Sequence, residues 1–166
     1  MNYDTRWKEK FDCILANPPF MTPSGGINPH DKFRIRANRT EILFADYILE
    51  HLTPNGKAGF VVPEGIIFQG SGDFTELRKW ILYEAGLWAV VSLPSQIFQP
   101  YSGVKTSILL IDREVARTRS EILLVKIEND GFSLNTNRAP IKENDLPDAL
   151  HWLDMCKKNW NISKLK

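Results

Sequence analysis

Residues 14–20 read Ile-Leu-Ala-Asn-Pro-Pro-Phe, and this stretch decides the fold because a short apolar run there ends abruptly in an amide, two prolines and an aromatic ring. Each proline fixes its own φ and pushes the preceding residue out of the helical region, so Asn17 and Pro18 are held extended. The Asn17 side-chain oxygen and the Pro18 carbonyl can then converge as two acceptors beside the flat face of Phe20. The stretch predicts a strand that ends at a pocket for a planar ring with an exocyclic amino group.

Such a pocket favours attack by that amine on an electrophile. Two acceptors hold the two N–H protons and aim the nitrogen lone pair, and a rigid backbone lowers the entropic part of the barrier. Asn-Pro is also a common turn opener, and a strand ending in Asn-Pro-Pro is often only a strand stop. The remainder of the sequence favours the functional interpretation.

Three later stretches agree with this motif in order and spacing. They are EILFADYILEHLTPNGKAGFVVPEGIIF (41–68), LRKWILYEAGLWAVVSLPSQIFQPYSGVKTSILLIDRE (77–114) and IENDGFSLNTNRAPIKENDLPDAL (127–150). With the LANPPF run, they make the chain resemble, from about Phe11 to Leu150, the modification (M) subunit of type I restriction-modification systems. That subunit is an adenine-specific DNA methyltransferase.

The resemblance implies a Rossmann-like α/β fold, S-adenosylmethionine as cofactor and DNA as substrate. It implies that an extruded adenine is stacked between Phe20 and Phe98, with Tyr101 as the alternative to Phe98, and that methyl transfer is direct. It further implies that a specificity (S) subunit reads the target sequence and that a restriction (R) subunit is the other partner. The residues to which it assigns catalysis are Asn17, Pro18, Pro19 and Phe20, and Asn17 is also the part of the cofactor site that this chain carries.

One part of the family pattern is missing. In the resembled family, a glycine-rich F-x-G-x-G segment that grips the cofactor precedes the NPPF motif by many tens of residues, whereas sixteen residues precede Asn17 here. The runs 24–26 and 70–72 lack the strand-before, helix-after setting of a nucleotide-binding turn and are interpreted as loops. We therefore expect the C-terminal portion of a catalytic domain, inactive alone. We also expect the strand Phe11 to Ala16 to have a free apolar edge that self-associates or is covered by the chain's own termini.

Two other functions stay open. A methyltransferase with an NPP[FY] motif that acts on RNA guanine or on a protein glutamine amide would use the same two acceptors, although the later stretches disfavour it. A fragment that binds partner subunits without catalysis is the second alternative.

Composition bounds these functions. The chain has 166 residues, 43% of them hydrophobic and 25% charged, which fits one domain over 1–166, with an α/β core over 1–115 and a hairpin-and-helix extension over 116–166. A net charge of +1 means that nucleic-acid affinity must come from a local patch. No long apolar run or signal-peptide pattern is present, which predicts a cytoplasmic protein that does not enter a membrane. Two distant cysteines and three scattered histidines predict no metal site.

Alternating patterns predict an open sheet with crossover helices. Strands are predicted over 11–16, 57–62, 87–93 and 106–112. The first helix is predicted to start at Asn38 and to stop at Pro54-Asn55-Gly56. The second is predicted to start at Asp73 and to end at Gly86. A hairpin is predicted from 121–127 through a turn at 129–131 to 132–134, followed by a last helix after Asp145. The predicted apolar faces are Leu43, Phe44, Tyr47, Ile48 and Leu52 in the first helix, Phe74, Leu77, Ile81 and Ala85 in the second, and Leu146, Leu150 and Leu153 in the last.

A basic cluster follows the NPPF motif. It lies in the long loop over 21–37 and at the start of the first helix, close in sequence to the predicted base pocket, where positive charge suits DNA phosphates. A solvated loop is the alternative interpretation. Its members are Lys32, Arg34, Arg36 and Arg39.

Overall fold

The computed structural model describes residues 6–21, 26 and 28–158 of the chain. Among these residues, five strands form one sheet in the order β1-β2-β4-β3-β5, and two more form a small ribbon. Of the loops predicted at 24–26, Ser24 and Gly25 lie outside the described residues. The strands are β1 (Phe11–Ala16), β2 (Leu52–Pro63), β3 (Leu87–Ser92), β4 (Thr106–Asp112), β5 (Leu123–Lys126), β6 (Asp130–Phe132) and β7 (Pro140–Asn144).

Four strands of the sheet run in one direction. β1 pairs parallel with β2, and β5 parallel with β3, while β4 lies between β2 and β3 and is antiparallel to both. The helices that connect and cover these strands are α1 (Thr40–Glu50), α2 (Gly65–Phe68), α3 (Gly72–Trp80), α4 (Arg113–Arg117) and α5 (Leu146–Lys158). This mixed α/β sheet confirms the predicted fold class and the four predicted strands.

The first helix differs from its prediction at both ends. Arg39, not Asn38, is the N-cap residue, and the helix ends at Glu50, so the predicted stop at Pro54-Asn55-Gly56 lies within β2. The early end has a physical cause, because carbonyl groups left open there are satisfied from elsewhere. The Arg113 guanidinium donates to the carbonyl oxygens of Leu49 at 3.1 Å and Thr53 at 3.0 Å.

The apolar face of α1 is also only partly as predicted. Ile48 and Leu43 are buried, whereas Phe44 and Tyr47 are exposed. Those two rings turn toward an open groove beside β1, so α1 has a core side and a groove side. The core side consists of Ile42, Ala45, Ile48 and Leu49.

The second helix agrees with its prediction. α3 continues through a π-helical turn (Ile81–Ala85), and all four predicted apolar residues are buried. It ends at Gly86, where φ is +92° and an added Cβ would lie 2.9 Å from the Arg113 Cα. Glycine is required there for both reasons.

The predicted C-terminal hairpin is wrong. β5 joins the main sheet beside β3, and the residues predicted as its turn lie largely in β6, which pairs with β7 instead. Gly131 has a φ of +85° and sits at a register shift inside β6, so the glycine serves a bulge rather than a tight turn. The open edge of β3 offers β5 a full parallel pairing, which a three-residue return strand does not match.

The last helix is where it was predicted, but its core face is different. Ala149 and Cys156 are buried and Leu153 packs with them, whereas Leu150 is 66% exposed. The last turn is held by an ion pair of 2.9 Å between Lys157 and the buried carboxylate of Asp112.

The outer edge of β1 carries exposed apolar side chains. Leu15 is 82% exposed and Phe11 47% exposed, and β2 is the strand that pairs with β1 among the described residues. The N-terminal 3-10 turn (Arg6–Lys8) covers part of the groove next to this edge, since the Trp7 ring packs against Tyr47 and His51 at centroid distances of 5.3 Å. Within the described part of the chain, no helix has the length and apolarity needed to cross a bilayer.

Candidate active site

The carboxyl ends of β1, β2, β3 and β5 lie along one edge of the sheet, because these four strands run in the same direction. Asn17 follows β1, Glu64 follows β2 and Leu93 follows β3. In open α/β sheets, ligands bind at this edge. The ends of these three strands therefore share one edge.

Asn17 stands at this edge with its side chain exposed. Pro18 behind it is buried, and Phe20 is half-buried. None of the described residues donates a hydrogen bond to the Asn17 amide or accepts one from it. The amide is thus open to a ligand, on a backbone that two prolines restrict.

An apolar groove of about 560 Å³ runs beside this segment. One wall is β1 with Asn17 to Pro19, and the other is the groove side of α1 with Phe44 and Tyr47. Asn17 is exposed at one end of the groove, and the buried His51 also lines it. A flat apolar surface of this kind suits a ring rather than a charged group.

The end of the NPPF segment is tied to the first turn of α1. The hydroxyl of Thr40 accepts from the Met21 N–H at 3.1 Å, and its oxygen lies close to the Met21 carbonyl and 3.4 Å from the Pro19 carbonyl. A hydroxyl offers one donor and two acceptor sites, so one side chain serves both kinds of backbone group. Sequence reasoning missed Thr40, because a threonine at a helix start carries no pattern of its own.

Phe98 lies in a compact turn beyond β3. It is half-buried, its carbonyl accepts from the N–H groups of Tyr101 at 2.8 Å and Ser102 at 3.0 Å, and the Tyr101 side chain is 94% exposed. Two strands separate β3 from β1, which corresponds to about 14 Å between the strand ends. The placement of Phe98 opposite Phe20 across a base stays a prediction.

Between those two segments lies an ion pair that sequence reasoning also missed. Glu64 after β2 and Lys105 before β4 approach to 2.9 Å, and the Glu64 N–H donates to the Lys105 carbonyl at 3.0 Å. These contacts close the base of the 93–105 segment. The available signal was a charged residue at each end of neighbouring strands, which is informative only once their antiparallel pairing is known.

Arg34 of the basic cluster is engaged with α3 and its π-helical continuation. Its guanidinium donates two bonds of 2.6 Å to the carboxylate of Glu84 and lies 4.6 Å from the centroid of the Trp80 ring. The charge-assisted bonds lower the pKa of Glu84 and raise that of Arg34. Arg34 therefore fastens the loop to the body of the protein.

The other members of the cluster differ from Arg34. Arg36 pairs with the highly exposed Asp31 at 2.7 Å, and its hydrogen bond lowers the pKa of that carboxylate. Arg39 lies 3.7 Å from the largely buried Glu41 and 5.5 Å from the centroid of the Phe74 ring of α3. Lys32 is exposed. An exposed pair such as Arg36 with Asp31 contributes little. Phosphate contacts by these residues stay a prediction.

A buried carboxylate fixes the same loop from α1. Asp46 is fully buried, and one of its oxygens accepts from the Ile35 N–H at 2.8 Å. Burial raises the pKa of Asp46 to about 6. A hydrophobic helix position that holds an aspartate was not singled out in the sequence, since a single acidic residue on a helix usually faces solvent.

Comparison with known proteins identifies the family of this chain. The family model described as N-6 DNA Methylase matches residues 1–165. This chain belongs to the N-6 DNA methylase family. Its resemblance to type I modification subunits, which the motifs indicated, is thereby confirmed.

The curated relatives are named as methylase subunits of type I restriction enzymes. The chain is 37% identical to the EcoEI methylase subunit of Escherichia coli over 108 residues, which cover 64% of this chain and 22% of that protein. It is 32% identical to the StySPI methylase subunit of Salmonella potsdam over 102 residues, which cover 61% of this chain and 19% of that protein. The chain thus spans about a fifth of the length of these relatives.

Solved structures agree on the fold. A chain of the type I R-M system matches with a TM-score of 0.70 and 30% identity, covering 92% of this chain and 32% of its own length. The type I restriction enzyme EcoKI M protein matches with a TM-score of 0.57 and 31% identity, covering 65% and 22%. The observed sheet is therefore that of a methyltransferase.

A glycine turn that holds a dinucleotide-type cofactor directly joins the end of a strand to the start of a helix. The described glycines with positive φ are Gly26, in the loop, Gly86, which joins a helix to a following strand, and Gly131, in the ribbon. None of these three directly joins a strand to a helix in this way: Gly26 lies between β1 and α1, but ten residues after the one and fourteen before the other. Asn17 is the one predicted cofactor residue. In the described part of the chain, no group of histidine, cysteine and acidic side chains is arranged to hold a metal ion.

Proposed function

We propose that this chain is the target-base portion of an adenine-specific DNA methyltransferase, the modification subunit of a type I restriction-modification system. One observation carries the proposal: an open amide and an adjacent carbonyl stand on a proline-restricted backbone at the carboxyl edge of a methyltransferase sheet. The family description, N-6 DNA methylase, supports DNA, rather than RNA or a protein amide, as the acceptor.

The proposed chemistry uses Asn17 and Pro18 as acceptors. Each takes one N–H of the adenine amino group, which holds the nitrogen in the ring plane and aims its lone pair at the incoming methyl carbon. Pro19 contributes by fixing the conformation of Pro18. Nitrogen attacks the methyl group directly and loses a proton, so no covalent enzyme intermediate forms and Cys13 has no role as a nucleophile.

The base must leave the helix to reach this site. Extrusion costs a few kcal/mol, which aromatic contacts on both faces of the base offset. Phe20 next to the acceptors supplies one face, and Phe98 supplies the other, with Tyr101 as its alternative. The charged members of the 32–39 loop, Lys32, Arg36 and Arg39, are proposed to contact backbone phosphates, and Arg34 to hold that loop in place.

S-adenosylmethionine supplies the methyl group, and most of its contacts are proposed to come from another part of the methyltransferase domain. The relatives are about five times as long as the matched region, which leaves room for such a part. The free edge of β1 and the groove beside it are the surfaces proposed to receive it. When that part is absent, the same edge is proposed to cause self-association.

The proposed partners follow from the same relationship. DNA is the substrate, S and R subunits complete the restriction enzyme, and the cytoplasm is the proposed location.

A labelling experiment tests the proposal. The complete methyltransferase that contains this sequence is incubated with S-adenosylmethionine carrying a labelled methyl group and with DNA, RNA and a protein extract in parallel. Label in DNA, recovered as N6-methyladenine after nuclease digestion, is the expected result. Label in RNA guanine or in protein glutamine would replace the proposal by the corresponding alternative, and no transfer to any acceptor would leave the assembly role.

A further inference from the structure

The NPPF segment ends in a set of contacts made by one side chain. Thr40 accepts from the Met21 N–H at 3.1 Å, and its hydroxyl oxygen also lies next to the carbonyl oxygens of Pro19 and Met21. These are the contacts by which Pro19 and Met21 are hydrogen-bonded to a helix nineteen to twenty-one residues further along the chain. They hold the segment on the side away from its strand.

The other end of the segment is held less firmly than a strand in the sheet interior. β1 pairs with β2 through Ala16 and Phe60, and its outer edge is free among the described strands. Asn17 itself is exposed and has left the strand. The orientation of its amide therefore depends on how the residues after it are fixed.

The helix that carries Thr40 is well anchored. Its core side is buried through Ile42, Ile48 and Leu49, and the Leu49 carbonyl near its C-terminal end accepts from the Arg113 guanidinium at 3.1 Å. In its middle, Asp46 accepts from the Ile35 N–H at 2.8 Å. Thr40 thus connects the segment to a helix whose buried side packs in the core with β2.

We propose that Thr40 is a positioning residue for methyl transfer: its hydroxyl fixes the Asn17–Met21 segment on the first turn of α1 and so sets the direction in which Asn17 and Pro18 present their oxygen atoms. The proposal rests on the function proposed above. Thr40 does not touch the base or the cofactor. It acts through the backbone of Pro19 and Met21.

Physical chemistry defines what the hydroxyl contributes. The hydrogen bonds of Thr40 to Pro19 and Met21 are exposed to solvent. Such bonds contribute little to stability, whereas misplacement of a catalytic group by about 1 Å costs far more in turnover. Loss of the Thr40 hydroxyl is therefore expected to lower kcat more than it lowers folding or DNA binding.

The test uses two substitutions in the complete methyltransferase. Thr40→Val keeps the shape and removes the hydroxyl, while Thr40→Ser keeps the hydroxyl and removes a methyl group. Thr40→Val is expected to lower kcat about tenfold with KM for DNA changed by less than about threefold, and Thr40→Ser to stay within about threefold of the parent. Thr53→Val is the matched control, because that threonine bonds Asp12 at the far end of the sheet; it should leave kcat unchanged.

A second measurement tests the hydrogen bond between Thr40 and the Met21 N–H without an activity assay. In the 166-residue chain, hydrogen exchange at the Met21 amide should become about fivefold or more faster in Thr40→Val than in Thr40→Ser. Equal exchange in the two variants would overturn the tether, as would a kcat for Thr40→Ser as low as that of Thr40→Val.

Asn17→Ala separates this inference from the proposed function. If Asn17→Ala abolishes turnover and Thr40→Val does not change it, the positioning role is wrong and the proposed function stands. If Asn17→Ala also has no effect, the proposed function fails and the role of Thr40 fails with it.

Discussion

The two segments proposed to enclose the base are supported in opposite ways. The segment over 17–21 follows an edge strand, but a side chain from another element, Thr40, holds its end. The segment over 96–102 follows β3, which has a partner on each side, but its own backbone turns hold it together. Among the described strands, the segment after the edge strand is tied to a helix, whereas the segment after the inner strand is closed by its own backbone turns and, at its base, by the contacts between Glu64 and Lys105.

This difference matches the tasks proposed for the two segments. Acceptors must keep their direction to within a fraction of an ångström, so the segment with Asn17 needs a rigid support. A stacking ring tolerates sliding across a base, since dispersion has little directionality. The segment with Phe98 is therefore expected to adapt to its ligand more than the segment with Asn17.

The largest expected effect comes from the acceptor in the rigid segment. Asn17→Ala in the complete methyltransferase should lower kcat by on the order of 10² or more, because an acceptor used in the transition state is lost, while DNA affinity changes little. Transfer of a labelled methyl group measures turnover. Asn137→Ala, at an exposed position in the C-terminal extension, is the control. Turnover of Asn17→Ala close to that of the control would remove Asn17 from catalysis.

The two aromatic residues allow a direct comparison of the two segments. Phe20→Ala and Phe98→Ala should each weaken capture of the extruded base by about 1 to 3 kcal/mol, the range found for base–aromatic stacking. A fluorescent adenine analogue at the target position reports the change in stacking. Phe68→Ala, which removes an exposed ring from α2, is the control.

Unchanged emission with both variants would contradict the two-sided clamp. If Phe20→Ala alone changes it, Tyr101→Ala is the next variant, because the second face of the base then has another partner.

Sequence reasoning succeeded where the signal is local. The end of β1 is set by Pro18 and Pro19, and the end of the α3 unit by Gly86, whose positive φ excludes other residues. The prediction failed at Gly131. A glycine with positive φ suits both a hairpin turn and a β-bulge, and the structure has the bulge, in β6. Which strand competes best for the edge of β3 is a property of the assembled sheet.

The candidate site divides in the same way. The acceptors and Phe20 could be proposed from the sequence, because the chemistry assigned to them lies within four consecutive residues. Thr40 and the Glu64–Lys105 pair were not, because each depends on contacts between residues about twenty or more positions apart. The exposed rings of α1 were assigned to the core for a related reason: their periodicity does not tell which side of a two-sided helix faces the sheet.

The strand beneath the rigid segment provides a third prediction. Leu15→Lys should weaken self-association of the 166-residue chain about tenfold, because a charged side chain replaces an exposed leucine on the edge strand. Light scattering over a concentration series measures it. Leu150→Lys, at an exposed leucine on α5, is the matched control and should have no such effect. If both variants associate like the parent chain, the β1 edge is not the contact surface.

The smallest effect is expected at Asp46, in the helix that supports the rigid segment. Burial raises the pKa of this carboxyl to about 6, with Glu50 adding to the rise and the Ile35 N–H opposing it. Its pKa in the folded chain is thus above its unfolded value, so protonation favours the folded state and stability rises as pH falls from 7 toward 4. Between about pH 7 and pH 5 the gain should be about 1 kcal/mol. Asp46→Asn should remove this dependence of the unfolding free energy on pH. Asp154→Asn, which changes an exposed aspartate on α5, should keep it. Urea unfolding at several pH values measures the dependence, and an unchanged dependence in Asp46→Asn would show that another group titrates.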